Sequence, residues 1–387
     1  MAYTFNTMLI WWHYLIVFAV GLLVTTACVP IVRKIAIAAG VVDDPGPRRV
    51  NTEPIPRMGG VAMFAGLAAA LAVEAICEAL GVWNGPFITP MGTVNIKLVG
   101  TGVGLLFILA VGIVDDIRSL PPMVKFIGQI VAACVIASSG VLLDSMKIPF
   151  TAMHVQIPIF AAYPITVVYL VAFANIINLI DGLDGLAAGI SGISALSLFI
   201  LTVGLDRVDA ALLAIALVGI CLGFLFYNFH PASIFMGDSG SLLLGMLLGS
   251  ISLLGAARFS SITALAVPVV IAGVPVIDTF SAIVRRTREH KSIGTPDAGH
   301  IHHRLLRQGY SQRKAVLVIY AWTALLSVCA VIIWNVGGLL KYLVLIIVLV
   351  ISSIVIWRLG LFGPVLKHHY GDSGEDEPEG EQSDDQQ

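Results

Sequence analysis

Charge is what this sequence has least of. Only 12% of its 387 residues are Asp, Glu, Lys or Arg, against 58% hydrophobic, and mean hydropathy is +0.93. A water-soluble domain carries about twice that charged fraction, so composition excludes one. Cysteine is scarce too. Cys28, Cys77, Cys134, Cys221 and Cys329 all fall inside apolar runs without CxxC spacing, which excludes a disulfide framework or a thiolate metal site. The N-terminal flank MAYTFNTM has no basic residue, and no small-residue cleavage site follows at a suitable distance. The first apolar run is therefore read as a retained helix, not a signal peptide. No internal repeat is visible.

What the chain has instead is long apolar stretches. Eleven runs able to cross about 30 Å of hydrocarbon lie near residues 9–32, 58–80, 97–114, 124–143, 160–180, 185–204, 209–229, 240–257, 262–284, 314–334 and 338–359. The expected fold is an all-α polytopic membrane protein of about 11 transmembrane helices. With the N-terminus outside, the inside segments hold about 17 of the 22 Lys and Arg, which also puts the C-terminus in the cytoplasm. Residues 1–365 read as one helical membrane domain with cytoplasmic catalytic loops. Residues 366–387 read as an acidic, disordered tail, and its stretch from His368 onward has eight acids between Asp372 and Asp385 and no Lys or Arg. Without those eight acids the formal charge of −2 becomes about +6, which suits an anionic membrane face and anionic substrates.

Against so little charge, five aspartates stand out: Asp115, Asp116, Asp181, Asp184 and Asp238, each at the end of an apolar run and all on the cytoplasmic rim of that topology. Lipid cannot solvate a carboxylate, so such positions are functional candidates. Asp115 and Asp116 are followed by LPP and then Lys125, which fits a counter-ion or a phosphate contact. Asn175, Asn178 and Asp181 recur every three residues, a spacing that places them on one helical stripe able to line a single cavity, and Gly182 and Gly185 then break the helix. In FMGDSGS, Asp238 is either a helix N-cap or, with Asn178, a hard-oxygen Mg²⁺ ligand. Phe235 beside it offers a face for stacking a base. The loop 285–313 concentrates Arg285, Arg286, Arg288, Lys291, His300, His302, His303, Arg304 and Arg307, a pattern that suits a phosphate patch better than a Cys-free zinc site. The first inside loop, DDPGPRRVNTEPIPRMGG, again mixes acids, arginines, Pro and Gly.

Together these residues suit phosphoryl transfer between a soluble nucleotide diphosphate and a lipid phosphate. A secondary transporter would gather its ionisable groups near the midplane rather than at one rim, and a non-catalytic scaffold has no need of Asn178 and Asp238 together.

Five motifs in order, DDPGPRRVNTEPIPRMGG, DDIRSLPPMVKFIGQ, NIINLIDGLDGL, FMGDSGS and HIHHRLL, cover roughly residues 15–335. Through them the chain resembles the polyprenyl-phosphate N-acetylhexosamine-1-phosphate transferase family. HIHHRLL is similar to the branch that begins enterobacterial common antigen and wall teichoic acid synthesis; the muramoyl-pentapeptide branch typically has three consecutive histidines there. Asn51 stands where a His is common, and the acidic tail matches no motif.

The resemblance implies transfer of GlcNAc-1-phosphate from UDP-GlcNAc to undecaprenyl or another polyprenyl phosphate at the cytoplasmic face of the bacterial plasma (inner) membrane. UDP-N-acetylmuramoyl-pentapeptide or another UDP-N-acetyl sugar is the alternative donor. It implies Asp115 and Asp116 as catalytic, Asn178 and Asp238 as Mg²⁺ ligands (with Mn²⁺ as a substitute), and Asp184, Phe235 and Asp181 as nucleotide-binding. Lys125, His300, His302, His303 and Arg304 would bind phosphate and sugar, with Asp44, Arg57, Gly59 and Gly60 as first-loop support. A single displacement is expected, with an aspartyl-phosphate route as its rival. The implied partners are UDP-GlcNAc, the polyprenyl phosphate and the lipid bilayer, without nucleic acid, and a homodimer is left open.

Overall fold

The computed structural model describes residues 2–44, 53–89, 91–147, 154–256, 272–288, 299–336 and 340–362. Twelve helices occur among them: α1 (Ala2–Ala38), α2 (Gly59–Ala79), α3 (Ile96–Arg118), α4 (Pro122–Ser138), α5 (Ile159–Ile180), α6 (Leu186–Gly204), α7 (Val208–Asn228), α8 (Gly237–Ala256), α9 (Gly273–Arg288), α10 (Ile301–Arg307), α11 (Gln312–Asn335) and α12 (Leu340–Leu359). Two short antiparallel ribbons complete them, β1 (Val42–Asp43) with β2 (Ile55–Pro56), and β3 (Ser145–Lys147) with β4 (His154–Gln156).

The all-α polytopic expectation holds. Among the described residues nine helices are long and apolar enough to cross a membrane, and α4 is a shorter apolar helix. Of the expected span 262–284, residues 262–271 lie outside the described residues, and residues 273–284 fall in α9. The expected acidic tail also lies outside them.

α8 is the axis of the bundle. It packs on α2, α3, α5, α6 and α7, and 89% of its most apolar stretch is buried, whereas for α12 the figure is 11%. Small residues permit this. A side chain on Gly60 would collide with the backbone of Gly240, so α2 and α8 cross in direct main-chain contact, and Gly112 lies equally close to Ser239 on the α3 side. Local signals set the helix ends that matter to the site. Pro121 and Pro122 open α4, because a proline's missing N–H is not needed in a first turn. Gly185, at φ +78°, opens α6, with its N–H donated to Asn228 Oδ1 at 3.0 Å. Loops at the C-terminal ends of α3, α5 and α7 thereby meet the N-terminal ends of α2, α6 and α8, and one polar end of the bundle results.

Two acids of α2, Glu74 and Glu78 in its second half, are buried away from that end. Glu74 contacts His13 Nδ1 at 3.2 Å, and Glu78 accepts the N–H groups of Phe87 and Ile88, both at 2.8 Å.

Candidate active site

The site is built around the first turn of α8. Gly237 has φ +69°, and a Cβ there would lie 2.5 Å from both carboxylate oxygens of Asp116. Glycine therefore lets Asp116, at the end of α3, accept the N–H groups of Asp238 (2.8 Å) and Ser239 (3.2 Å). The first loop is fastened to the same turn. Pro56 O accepts Phe235 N–H at 2.9 Å, while Gly59 and Gly60 donate to Phe235 O and Met236 O, each at 3.0 Å.

Asp238 itself faces two helices. Its Oδ1 accepts from Asn178 Nδ2 at 2.6 Å, an amide that also donates to Ser241 Oγ at 2.8 Å, and its Oδ2 is ion-paired with Lys125. Lys125 reaches Asp115 Oδ2 as well, at 3.3 Å, and Asp115 Oδ1 accepts the N–H of Leu120 at 2.7 Å. One ammonium thus bridges the carboxylates of α3 and α8. Asp184 accepts from His230 Nδ1 at 2.7 Å and from Ala232 N–H at 3.0 Å, which ties the turn after α5 to the turn after α7. Asp181 differs from the other four: it accepts no hydrogen bond and forms no ion pair among the described residues. Its pKa is pushed up to about 8, first by desolvation and then by the charges of Asp238, Asp116 and Asp184.

These groups surround a cavity of about 360 Å³. Of the residues anticipated from sequence, Asp116, Asn178, Asp181, Asp184, Phe235, Asp238, Arg57, His302 and His303 line it. Asp115 and Lys125 stand one contact behind, through Asp238. His300, Arg304, Asp44, Gly59 and Gly60 are not in its wall. His300 Nδ1 is 2.9 Å from Asp278 Oδ2, and Arg304 Nε donates to Gly299 O at 2.9 Å. Gly59 and Gly60 serve by close approach. In the first loop Arg57 is ion-paired with Asp43, which lines the cavity, while Asp44 is exposed. The stripe reading needs one correction. Asn175 does not line the cavity with Asn178 and Asp181; it turns into the α4–α5 interface, where its Nδ2 donates to Gln129 Oε1 at 2.5 Å and Gln129 Nε2 donates back at 3.3 Å. Three residues advance a helix by 300°, so six residues carry a side chain out of a narrow sector.

His302 lies against the turn after α5. It is 3% exposed, its Nδ1 has no partner among the described residues, and its Nε2 would stand 2.5 Å from a Cβ at Gly182. Burial, reinforced by His303 and His300, holds its pKa well below the usual value, so the ring is neutral. Asp43, Asn228 and Asp278 were not singled out from sequence. For Asp278 a signal existed, since VPVID places an acid at the end of an apolar run like the other five.

Residues 98–256 match the family model described as Glycosyl transferase family 4. Over 352 residues, 91% of this chain and 94% of the relative, the sequence is 37% identical to a Bacillus subtilis (strain 168) protein named "Probable undecaprenyl-phosphate N-acetylglucosaminyl 1-phosphate transferase". The chain belongs to the polyprenyl-phosphate N-acetylhexosamine-1-phosphate transferase family. Another relative is the Mycolicibacterium smegmatis "Decaprenyl-phosphate N-acetylglucosaminephosphotransferase", 36% identical over 76% of each chain. A "Phospho-N-acetylmuramoyl-pentapeptide-transferase" of Desulforamulus reducens is 30% identical over 79% of this chain and 90% of its own.

For a transferase of this family the donor set of the cavity is telling. Among the described residues no group of three or more His, Cys, Asp or Glu could by itself hold a metal ion. Yet Asp181 is unpartnered beside three other carboxylates, and the amide oxygen of Asn178 accepts no hydrogen bond among the described residues. Hard oxygens, few in number and short of positive charge, fit Mg²⁺, which completes its shell with water and substrate phosphate.

Proposed function

We propose that this multi-pass membrane protein transfers GlcNAc-1-phosphate from UDP-GlcNAc to undecaprenyl or another polyprenyl phosphate, releasing UMP and forming polyprenyl-diphosphate-GlcNAc. This is the first membrane step of a cell-envelope glycopolymer. The observation that carries the reading is the single cavity in which Asp116, Asn178, Asp181 and Asp238 meet Phe235, His302 and His303 at the polar end of the bundle. The basic loops at that end support a cytoplasmic face of the plasma membrane for it, where nucleotide sugars are.

In this reaction an oxygen of the lipid phosphate attacks the sugar-bearing β-phosphorus, the bond between the α- and β-phosphates breaks, and UMP departs. Asp115 receives the acceptor's proton or orients its oxygen, while Lys125, held between Asp115 and Asp238, draws the lipid phosphate to the same spot. Asp116 keeps the first turn of α8 in place through two N–H groups. Phe235 stacks the uracil, and Asp184, fastened by His230, sets the edge of the base pocket. His302 and His303 hold the diphosphate and sugar. Asp238 and Asn178, with Asp181 alongside, would hold Mg²⁺, which would supply positive charge against the diphosphate. Attack on phosphorus by a carboxylate of Asp115 or Asp116 is the rival route.

The test is transfer of radiolabel from UDP-GlcNAc to undecaprenyl phosphate by the purified protein in Mg²⁺. The 30% identity to the D. reducens protein makes the muramoyl-pentapeptide donor the second arm. Label entering lipid only from that donor would overturn the choice of sugar. A phosphoenzyme, or UMP release without lipid, would overturn single displacement.

A further inference from the structure

We infer that Asp278, on α9, is a positioning residue for the donor-binding histidines, an inference that rests on the role proposed for His302 and His303. Asp278 is 1% exposed and spends both oxygens on the start of HIHHRLL: Oδ1 accepts the N–H of Ile301 at 2.8 Å, and Oδ2 lies 2.9 Å from His300 Nδ1. A carboxylate only accepts, so Nδ1 carries the proton, and a neutral His300 keeps its lone pair on Nε2. His300 does not reach the cavity. Its ring lies parallel to that of His302, with centroids 5.8 Å apart and planes within 6°. His302 in turn rests on Gly182 at the cavity wall. A buried line therefore runs from Asp278 through His300 and His302 to the place proposed for the diphosphate.

The seat is wider than one acid. Arg285, two turns along the same face of α9, lies flat beneath Gly299, where a Cβ would meet its guanidinium at 2.6–2.7 Å, and Arg304 Nε holds Gly299 O from above. α9 thus seats residues 299–301 from below. A plain helix cap needs only the bond to Ile301; the second oxygen, given to an imidazole, fixes which ring nitrogen is protonated.

Asp278→Asn separates the two tasks. Its amide oxygen can still cap Ile301, but its NH₂ faces His300 Nδ1 and forces the proton to Nε2. The expected result with full-length protein in detergent is a fall of about 10- to 100-fold in kcat/KM for UDP-GlcNAc. KM for undecaprenyl phosphate and the melting temperature should not change. His300→Gln, which leaves Asp278 in place, should show the same donor-specific loss, and Asp278→Asn should add almost nothing in that background. Wild-type kcat/KM in either variant overturns the inference, as does an equal loss from Asp278→Asn with and without His300. ¹⁵N NMR of histidine-labelled protein reads the tautomer without turnover. A His300 that is not protonated at Nδ1 in the wild type, or that keeps that tautomer in Asp278→Asn, also overturns it. A wild type that transfers no sugar phosphate to lipid overturns only the proposed reaction.

Discussion

Replacing Gly182 by alanine tests the contact between the turn after α5 and the histidine segment. The added Cβ would lie 2.5 Å from His302 Nε2 and 2.7 Å from Cε1, whereas ordinary contact begins at 3.4 Å, so one partner must move by about 1 Å. The glycine's φ is not positive, so alanine can adopt this backbone; the difficulty is the ring. Neither side yields easily. Gly182 N–H is held by Ile180 O at 2.8 Å, and the buried His302 is packed between His300 and His303, with centroids at 5.8 and 4.2 Å. A misplacement of about 1 Å at a substrate-positioning group lowers turnover by about 10²-fold, or about 2.7 kcal/mol in the barrier. Initial rates of lipid-linked GlcNAc formation should show that loss in kcat/KM for UDP-GlcNAc, with the melting temperature preserved. In a His302→Ala background the same substitution should do little, because the clash is gone. Wild-type kinetics for Gly182→Ala, or an equal loss when the imidazole is absent, would refute the steric reasoning.

Three further outcomes follow from the site and its surroundings. Asp238→Ala and Asn178→Ala should each abolish Mg²⁺-stimulated transfer, and EDTA should silence the wild type reversibly; undiminished activity in EDTA would remove the metal from the reading. Asp181 binds a proton more tightly in the folded protein than in the unfolded chain, so the metal-free protein should lose stability as pH rises from about 4 to about 8. Asp181→Asn should flatten that slope in thermal melts run in EDTA, and a slope unchanged by the substitution would clear Asp181 of the effect. Glu74→Ala leaves His13 Nδ1 without its buried partner and should destabilise the protein by about 1–3 kcal/mol without altering kcat of the molecules that remain folded; a melting temperature equal to the wild type would show that the contact contributes nothing.

The helical bundle was readable because hydrocarbon imposes one constraint, length of apolar run, and α2, α3, α5, α6, α7, α8, α11 and α12 satisfy it within a few residues of the expected limits. The gathering of Asp116, Asp181, Asp184 and Asp238 was readable for the same reason, since an acid can stand at the end of such a run only where other polar groups meet it. The division of labour within the polar end was not. Which of Asp43 and Asp44 faces inward depends on the pleat of a two-residue ribbon, and which of Asn175 and Asn178 faces Asp238 depends on a helix rotation that three-residue spacing does not fix. Asp278 and His300 meet only because the start of α10 is hydrogen-bonded to α9, and no local pattern shows that pairing.

The wall of the cavity has a practical consequence. Behind Gly237 and Asp116, which line it, the helices meet main chain to main chain, Gly60 on Gly240 and Gly112 on Ser239. An inhibitor resting on Gly237 would touch little that a point substitution can alter, since a Cβ there collides with Asp116. One that leaned on Phe235, His303 or Arg57 would depend on side chains that a cell can exchange. Slow-to-arise resistance is therefore a property to seek in compounds that grip the first turn of α8.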